Sequence, residues 1–325
     1  MAAIAGAAAW PRSGAGQSAP QRRIGVLTSQ SDDDAELRRW LAGFVDALRD
    51  LGWVEGRDVR LQYRAAATDL DRLSAYAAEL VGLKPDVILA HTTPATGALR
   101  RASDSVPIVF VTVADPIGSG FVESFARPGA NVTGFTNYDA PMGGKWLELL
   151  KEIAPRTECV GMLFNPETAA SGATGGVYRR SIEGAAEIHG LKLIASPVHE
   201  PADIDRAVAA LAREPGAGML VMPNAFTIMH RERITAAAAG LRVPAVYPLR
   251  TFAAAGGLMA YGADVGDIFR RAATYVDRVL KGSRPGELPV QAPTKFELVI
   301  NAKAAGALGL TVPPTLVARA DEVIE

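Results

Sequence analysis

Short apolar runs alternate with amphipathic stretches along the chain from Arg23 onward, and this alternation occurs twice. Short apolar runs bounded by turn residues indicate buried strands, whereas apolar residues repeated every three or four positions indicate helices. The pattern predicts strands over residues 24–27, 87–90, 108–113, 159–164, 191–195, 219–222 and 244–247. It predicts helices over residues 34–51, 69–82, 143–153, 176–189, 203–212, 231–240 and 264–280.

The connections between the predicted strands indicate parallel sheets. No hairpin turn flanks these strands, and each connection is long enough for a crossover helix. A chain of 325 residues, of which 49% are hydrophobic, is large enough for two domains with their own cores. The predicted fold class is therefore α/β, with two Rossmann-like lobes, each a parallel sheet flanked by helices, joined by a multi-strand hinge.

The two rounds of alternation define the expected domains. The first lobe is predicted to comprise residues 23–134 plus about 260–286, and the second lobe residues 135–259 plus about 287–325. The short apolar strand Gly256–Gly262 is expected to cross the hinge. Residues 1–22 are predicted to be a signal-like or disordered leader, because an Ala-rich apolar run is followed there by a tract of small residues.

Small polar residues follow the predicted strands in both halves, and ligands of open parallel sheets bind at this edge. Ser29, Thr92, Thr93 and Asn165 lie just past strand ends. Hydroxyl groups and helix N-termini can hold a ligand carboxylate without a positively charged side chain. We therefore predict that these four residues line a ligand-binding cleft between the lobes.

Four further residues are candidates for the same cleft, each with an alternative role. Asp115 can pair with a ligand ammonium group or cap a helix before Pro116. Asn224 can bind the ligand or cap the helix that follows it. Tyr247 and Tyr261 can stack on the ligand or belong to the core.

The sequence offers no arrangement for catalysis, metal binding or a cofactor. The four histidines are scattered without metal-ligand spacing, although His91 ends a strand and can face the cleft, and Cys159 is the only cysteine. Nucleophile-elbow, phosphate-loop and dinucleotide-binding motifs are absent. The net charge of −1 argues against sequence-independent nucleic-acid binding.

Several phrases resemble the TrpX-like family of substrate-binding proteins of ABC transporters. They are residues 112–122 (TVADPIGSGFV), 127–134 (RPGANVTG), 255–262 (AGGLMAYG) and 293–301 (PTKFELVIN). The resemblance extends from about Arg23 to Glu325. It implies a type I periplasmic-binding-protein fold, an amino acid or related carboxylate, possibly aromatic, bound in the cleft by hinge closure, and delivery to an ABC permease in the inner membrane. By fold analogy, the protein is expected to be a monomer.

The resemblance also bears on export. Family members often carry a twin-arginine-like leader that ends in the phrase found here at residues 7–11 (AAAWP), but the preceding arginines are absent. The expectation is a periplasmic protein whose leader appears truncated. In addition, the chain has Pro223-Asn224 where the family often has an acidic residue before a proline.

Two other functions remain open at this point. A ligand sensor outside transport would use the same pair of lobes, and cell fractionation would separate it from an exported protein. A two-lobed α/β enzyme such as a racemase would need two opposed acid–base or thiol groups, which the single cysteine and scattered histidines do not supply. Turnover of a racemisation substrate would support the enzyme.

Overall fold

A computed structural model of the protein describes residues 21–139, 141–168 and 176–325. Most of the predicted leader lies outside these ranges. The strands are β1 (Arg22–Thr28), β2 (Val59–Ala65), β3 (Val87–His91), β4 (Ile108–Val111), β5 (Val132–Phe135), β6 (Cys159–Phe164), β7 (Lys192–Pro197), β8 (Ala217–Val221), β9 (Ala245–Tyr247), β10 (Met259–Ala263), β11 (Phe296–Asn301) and β12 (Glu322–Ile324). The helices are α1 (Ala35–Asp50), α2 (Leu70–Gly82), α3 (Thr93–Ala102), α4 (Met142–Ile153), α5 (Gly176–His189), α6 (Pro201–Leu211), α7 (Ala225–Met229), α8 (Arg231–Gly240), α9 (Arg250–Ala254), α10 (Val265–Leu280), α11 (Ala302–Ala307) and α12 (Pro314–Arg319).

The strands form two sheets, as the sequence predicts. The five-stranded sheet has the order β2-β1-β3-β4-β5, and all its pairs are parallel. The seven-stranded sheet has the order β12-β11-β10-β9-β8-β6-β7. Helices cover both sheets. Strands such as β3, β4 and β6 are therefore buried along their whole length.

One strand pair departs from the predicted parallel arrangement. β10 and β11 are antiparallel, with Ala263 opposite Phe296 and Met259 opposite Ile300. Between them the chain forms α10, which packs against β3, β4 and β5 of the other sheet. The returning chain re-enters the seven-stranded sheet at the end where β10 left it, and therefore runs in the opposite direction. β10 itself belongs to the seven-stranded sheet, whereas the sequence-based division placed residues 260–263 in the first lobe.

Three chain segments cross between the sheets next to one another. The first follows β5, the second joins β10 to α10, and the third is the return segment before β11. Thr136 N–H donates to the carbonyl of Gln291 at 2.9 Å, and Gln291 N–H donates to the carbonyl of Gly134 at 2.9 Å. Asp264 N–H donates to the carbonyl of Lys295 at 3.0 Å. These bonds tie the three crossings into one hinge.

A cluster of three aromatic side chains lies where the five-stranded sheet meets the segment that joins β10 to α10. Trp40 of α1 stacks on Phe269 of α10, with ring centroids 5.9 Å apart. The ring of His91, at the end of β3, lies edge-on to Phe269 at 5.1 Å. All three side chains are buried, so they fix α1 and α10 against the carboxyl end of the sheet. Among the described residues, no helix combines the length and the apolar character that a bilayer crossing requires.

Candidate functional site

A cavity lies between the two sheets at the carboxyl ends of β1, β3 and β4. Its lining includes Gln30, Thr92 and Thr112 from the first sheet and Pro223 and Asn224 from the loop after β8. The cavity volume is about 30 Å³, which is the room of about one water molecule. Small-molecule sites usually enclose about 300 Å³ or more, so the lobes must move apart to admit a ligand.

Polar atoms without hydrogen-bond partners converge on this cavity. They are both amide atoms of Gln30, the hydroxyl oxygen of Thr112 and the amide oxygen of Asn137, and none has a partner among the described residues. Gln30 is only 2% exposed. An unpaired buried polar group costs about 1–3 kcal/mol, so these atoms are placed to take water or a ligand in the cavity as their hydrogen-bond partner.

Backbone strain occurs at the same place. Thr92 has φ = 88° and Thr112 has φ = 58°, and both line the cavity. Positive φ costs a β-branched residue about 1–3 kcal/mol and is concentrated at functional sites. Thr92 precedes α3, and its side chain makes no capping bond to that helix. The N-terminus of α3, which is the positive end of the helix dipole, therefore faces this region of the cleft.

A buried hydrogen-bond chain holds Gln30 in place. Thr28 Oγ1 accepts from Gln30 N–H at 3.0 Å and lies 2.9 Å from His91 Nδ1. Burial lowers the pKa of His91 to about 3, although the charge of Asp34 acts in the opposite direction. His91 is therefore neutral at physiological pH, and the first-lobe side of the cavity carries no net charge from it.

The buried neutral state of His91 predicts how stability depends on pH. Because the folded pKa lies below the ordinary 6.5, the unfolded chain binds more protons as the pH falls. His91 alone is expected to lower the free energy of unfolding by about 1.2 kcal/mol between pH 7 and pH 5.5. Urea unfolding of the wild type and of His91→Gln at both pH values measures the difference. An NMR titration of the His91 ring with a midpoint near 6.5 would contradict the prediction.

An apolar wall completes the cavity. Trp40, Ile228, Leu249 and Val265 line it together with the polar groups. Trp40 is held by its stack on Phe269, and Val265 begins α10 directly after the hinge crossing. The cavity therefore has a polar side at the ends of β1, β3 and β4 and an apolar side built from both lobes.

Two contacts join the lobes at the rim of the cavity. Arg231 Nη1, at the start of α8, lies 2.8 Å from Asp34 Oδ2, at the start of α1. The Asp34 side chain is 11% exposed and that of Arg231 is 20% exposed, so this ion pair is largely shielded from water. The Thr68 hydroxyl oxygen lies 3.5 Å from the sulfur of Met229. Both contacts bring the α7–α8 region of the second lobe onto the first.

The family follows from the sequence as a whole. A profile of a family described as ABC transporter substrate binding protein matches residues 24–324. The chain belongs to this family. Its members bind a small molecule outside the cytoplasm and deliver it to a membrane permease, so the cavity between the lobes is where the ligand of such a protein is expected.

Known relatives of this binding protein cover nearly all of its length. A tyrosine-binding protein of Clostridioides difficile (strain R20291) is 26% identical over 294 residues, which are 90% of this chain and 82% of the relative. The crystal structure of a conserved domain protein from Vibrio cholerae O1 biovar El Tor str. N16961 is 29% identical, with a TM-score of 0.86, and the match covers 94% of this chain and 100% of the other. The structure of an ABC domain from Streptococcus pneumonia in complex with L-Trp is 24% identical, with a TM-score of 0.86 and the same coverage.

Three of the eight residues predicted from the sequence line the cavity of the binding protein: Thr92, Thr93 and Asn224. Ser29 lies behind them, with its hydroxyl 2.6 Å from that of Thr92. Asn165 is buried and is used internally, because its amide donates to the carbonyl of Val198 at 2.9 Å and its oxygen accepts from Thr168.

The other three predicted residues lie away from the cavity lining. Asp115 Oδ1 accepts from Gly118 N–H at 2.7 Å, but residues 116–120 form a turn, so the helix that Asp115 was predicted to cap as its alternative role does not form there. Tyr247 stacks on Phe252 in the second lobe at 5.2 Å, and burial raises the pKa of its hydroxyl. Tyr261 stacks on Phe296 at 5.8 Å. Asn224 lines the cavity, and its side-chain oxygen also caps α7 by accepting from Thr227 N–H at 2.9 Å.

The cavity is also lined by four residues that were not predicted from the sequence: Gln30, Thr112, Asn137 and Trp40. The strand-end rule is that polar residues just past the end of a strand line the cleft. Gln30 immediately follows Ser29 after β1, so this rule extended by one residue would have included it. Thr112 was not recognised as a residue past a strand end, because the predicted strand ran to residue 113, whereas β4 ends at Val111. Trp40 has only the helical spacing of a core residue, and no sequence signal separates that role from a cavity wall.

Proposed function

We propose that the protein is the periplasmic component of an ABC importer and that it binds a neutral α-amino acid in the cavity between its lobes. The observation that carries this proposal is the convergence of unpaired buried atoms from Gln30, Thr112 and Asn137 on one cavity. Their amide and hydroxyl groups supply both donors and acceptors, which an amino acid's carboxylate and ammonium groups require.

The apolar wall supports a large side chain on the ligand. Trp40 lines the cavity beside Ile228 and Leu249, and aromatic pairs gain about 0.5–1.5 kcal/mol beyond the area they bury. The names of the relatives agree with this reading, because one is a tyrosine-binding protein and another was solved with L-Trp. An aromatic amino acid is therefore the ligand we place first.

The binding cycle follows from the hinge. The ligand enters when the lobes separate, and ligand contacts from both lobes favour their return to an arrangement in which α8 meets α1. The cavity of about 30 Å³ widens around the ligand in that form. By fold analogy, we also propose that the protein functions as a monomer. No described residue of the cavity lining supports catalysis, since His91 with its pKa of about 3 is a poor base at neutral pH.

Thermal denaturation against a panel of ligands tests the proposal. The full chain would be unfolded and refolded to remove co-purified ligand, then heated with amino acids, aromatic acids, amines, nucleosides, polyols and sugars. A ligand present at about 100 times its Kd adds about 2.7 kcal/mol of stability, which raises the Tm by a few degrees. A shift with L-tryptophan or L-tyrosine is expected. Shifts with sugars or nucleosides alone would overturn the amino-acid assignment.

A further inference from the structure

Met229 is the most accessible methionine of the described chain. The sequence has seven methionines, and Met1 lies outside the described ranges. Met229 is half-buried at the end of α7. The other described methionines are at most 5% exposed: Met142, Met162, Met219, Met222 and Met259. Because an oxidant must reach the sulfur of a methionine to oxidise it, Met229 is the described thioether that a dissolved peroxide meets first.

The sulfur of Met229 lies at a contact between the lobes. It is 3.5 Å from Thr68 Oγ1, in the loop between β2 and α2 of the first lobe. The Thr68 hydroxyl donates to the carbonyl of Ala67 at 2.7 Å, so its single hydrogen is already used within that loop. Met229 therefore packs on Thr68 as an apolar group.

The first-lobe side of this contact is held in place. Thr68 N–H donates to the carbonyl of Ser29 at 2.7 Å, and Ala67 N–H donates to the carbonyl of Gln30 at 3.3 Å. Both loop residues have positive φ, 51° at Ala67 and 64° at Thr68, and the backbone bonds hold them in this strained conformation. Thr68 is thus fastened to the segment that carries Gln30 into the cavity.

The second-lobe side is fixed as well. α7 begins with a capping box, in which the side chains of Asn224 and Thr227 each accept from the N–H group of the other residue. Ile228, which precedes Met229, lines the cavity. A change in the size or polarity of the Met229 side chain therefore acts on the separation of the lobes, because neither side of the contact is free to yield.

We infer that Met229 is an oxidation site, at which a peroxide weakens ligand binding by opposing the closure of the lobes. In the reaction, the O–O bond of hydrogen peroxide breaks and one of its oxygen atoms forms an S–O bond with the thioether. The sulfur loses two electrons, the peroxide is reduced, and the second oxygen leaves as water. This role rests on the proposed function, because it requires the lobes to close around a ligand.

The sulfoxide disfavours the contact for a physical reason. It is bulkier and more polar than the thioether. With the lobes in contact, the added oxygen must fit beside a Thr68 oxygen that is already 3.5 Å from the sulfur, and it loses water there. With the lobes apart, water solvates the same oxygen. Oxidation therefore shifts the population toward separated lobes, and we expect the ligand Kd to rise about 10-fold.

Timed treatment of the full chain with dilute hydrogen peroxide, followed by peptide mass spectrometry, tests the site. Met229 is expected to gain one oxygen atom at least about 10-fold faster than any of the five buried methionines. Oxidation of Met229 that is no faster than that of Met162 would refute the site.

Calorimetric titration with L-tryptophan and L-tyrosine tests the effect on binding. The oxidised wild type should bind about 10-fold more weakly than the untreated protein, and methionine sulfoxide reductases for both epimers should restore the affinity. Met229→Leu should have the same Kd before and after treatment, since it has a similar volume but no sulfur. Met162→Leu is the matched control and should lose affinity as the wild type does. An equal loss in Met229→Leu would overturn the role of Met229.

Small-angle X-ray scattering measures the separation of the lobes without a ligand. The radius of gyration of the oxidised wild type should exceed that of oxidised Met229→Leu. If neither amino acid binds, the proposed function fails, and the order of oxidation together with the scattering still decides the role of Met229. If an amino acid binds and oxidation of Met229 changes neither its Kd nor the radius of gyration, the amino-acid function stands and the role of Met229 is refuted.

Discussion

Replacing Gln30 with Leu is expected to weaken amino-acid binding by 100-fold or more without lowering the stability of the ligand-free protein. Each hydrogen bond from Gln30 to a charged ligand group contributes about 1.5–3 kcal/mol, and Gln30→Leu removes two of them. In the ligand-free protein the same amide is buried and has no partner among the described residues, so an apolar side chain of similar size removes a desolvation cost. Calorimetric titration measures the Kd, and thermal denaturation measures the stability.

The matched control for this variant is Gln62→Leu. Gln62 has an unpaired buried amide oxygen, as Gln30 does, but it is remote from the cavity. Gln62→Leu should therefore leave the Kd unchanged. A structural role for Gln30 would show itself as a Tm several degrees lower in Gln30→Leu with an affinity close to that of the wild type, and this result would refute the site.

Breaking the ion pair between the lobes is the second change with a large expected effect. Asp34→Asn and Arg231→Gln are each expected to weaken ligand binding about 30-fold, which corresponds to about 2 kcal/mol for a shielded pair that forms only when the lobes are in contact. Asn at position 34 retains the cap of α1, in which Asp34 Oδ1 accepts from Glu36 N–H at 2.9 Å. The loss should appear mainly as faster ligand dissociation, measured by stopped-flow fluorescence.

The double variant provides the critical comparison for this pair. Asp34→Asn with Arg231→Gln should bind about as well as either single variant, because one interaction is lost in all three. Neutralising Arg233 and Asp205, an ion pair between α8 and α6 within the second lobe, is the control and should leave the affinity unchanged. Additive losses in the double variant would show that the two residues do not act as a pair across the cleft.

The long elements were predictable from the sequence, and the short ones were not. Helices over residues 176–189 and 231–240 have the predicted bounds, and α10 begins within one residue of its predicted start. The five-residue helices α7 and α9 are too short for a helical period to be recognised. The antiparallel direction of β11 depends on the end at which the chain returns to the seven-stranded sheet after α10. That end is determined by the tertiary structure.

The site was predictable only where it obeys the strand-end rule. Thr92, Thr93 and Asn224 follow strands and line the cavity. Tyr247 also ends a strand, but β9 has three residues and is buried on both faces, so alternation could not assign its side chain to the cleft or the core. The absence of partners for the amide of Gln30 is a three-dimensional fact that no pattern of residue types contains.

The most direct test of the binding cleft is a crystal structure of the protein grown with the amino acid that raises its Tm most. We expect ligand density between the lobes, with the carboxylate and ammonium groups within hydrogen-bond distance of Gln30 and with Thr112 and Asn137 as further partners. Density at another place, such as the surface cavity between α1 and β2, with the cleft unoccupied, would contradict it.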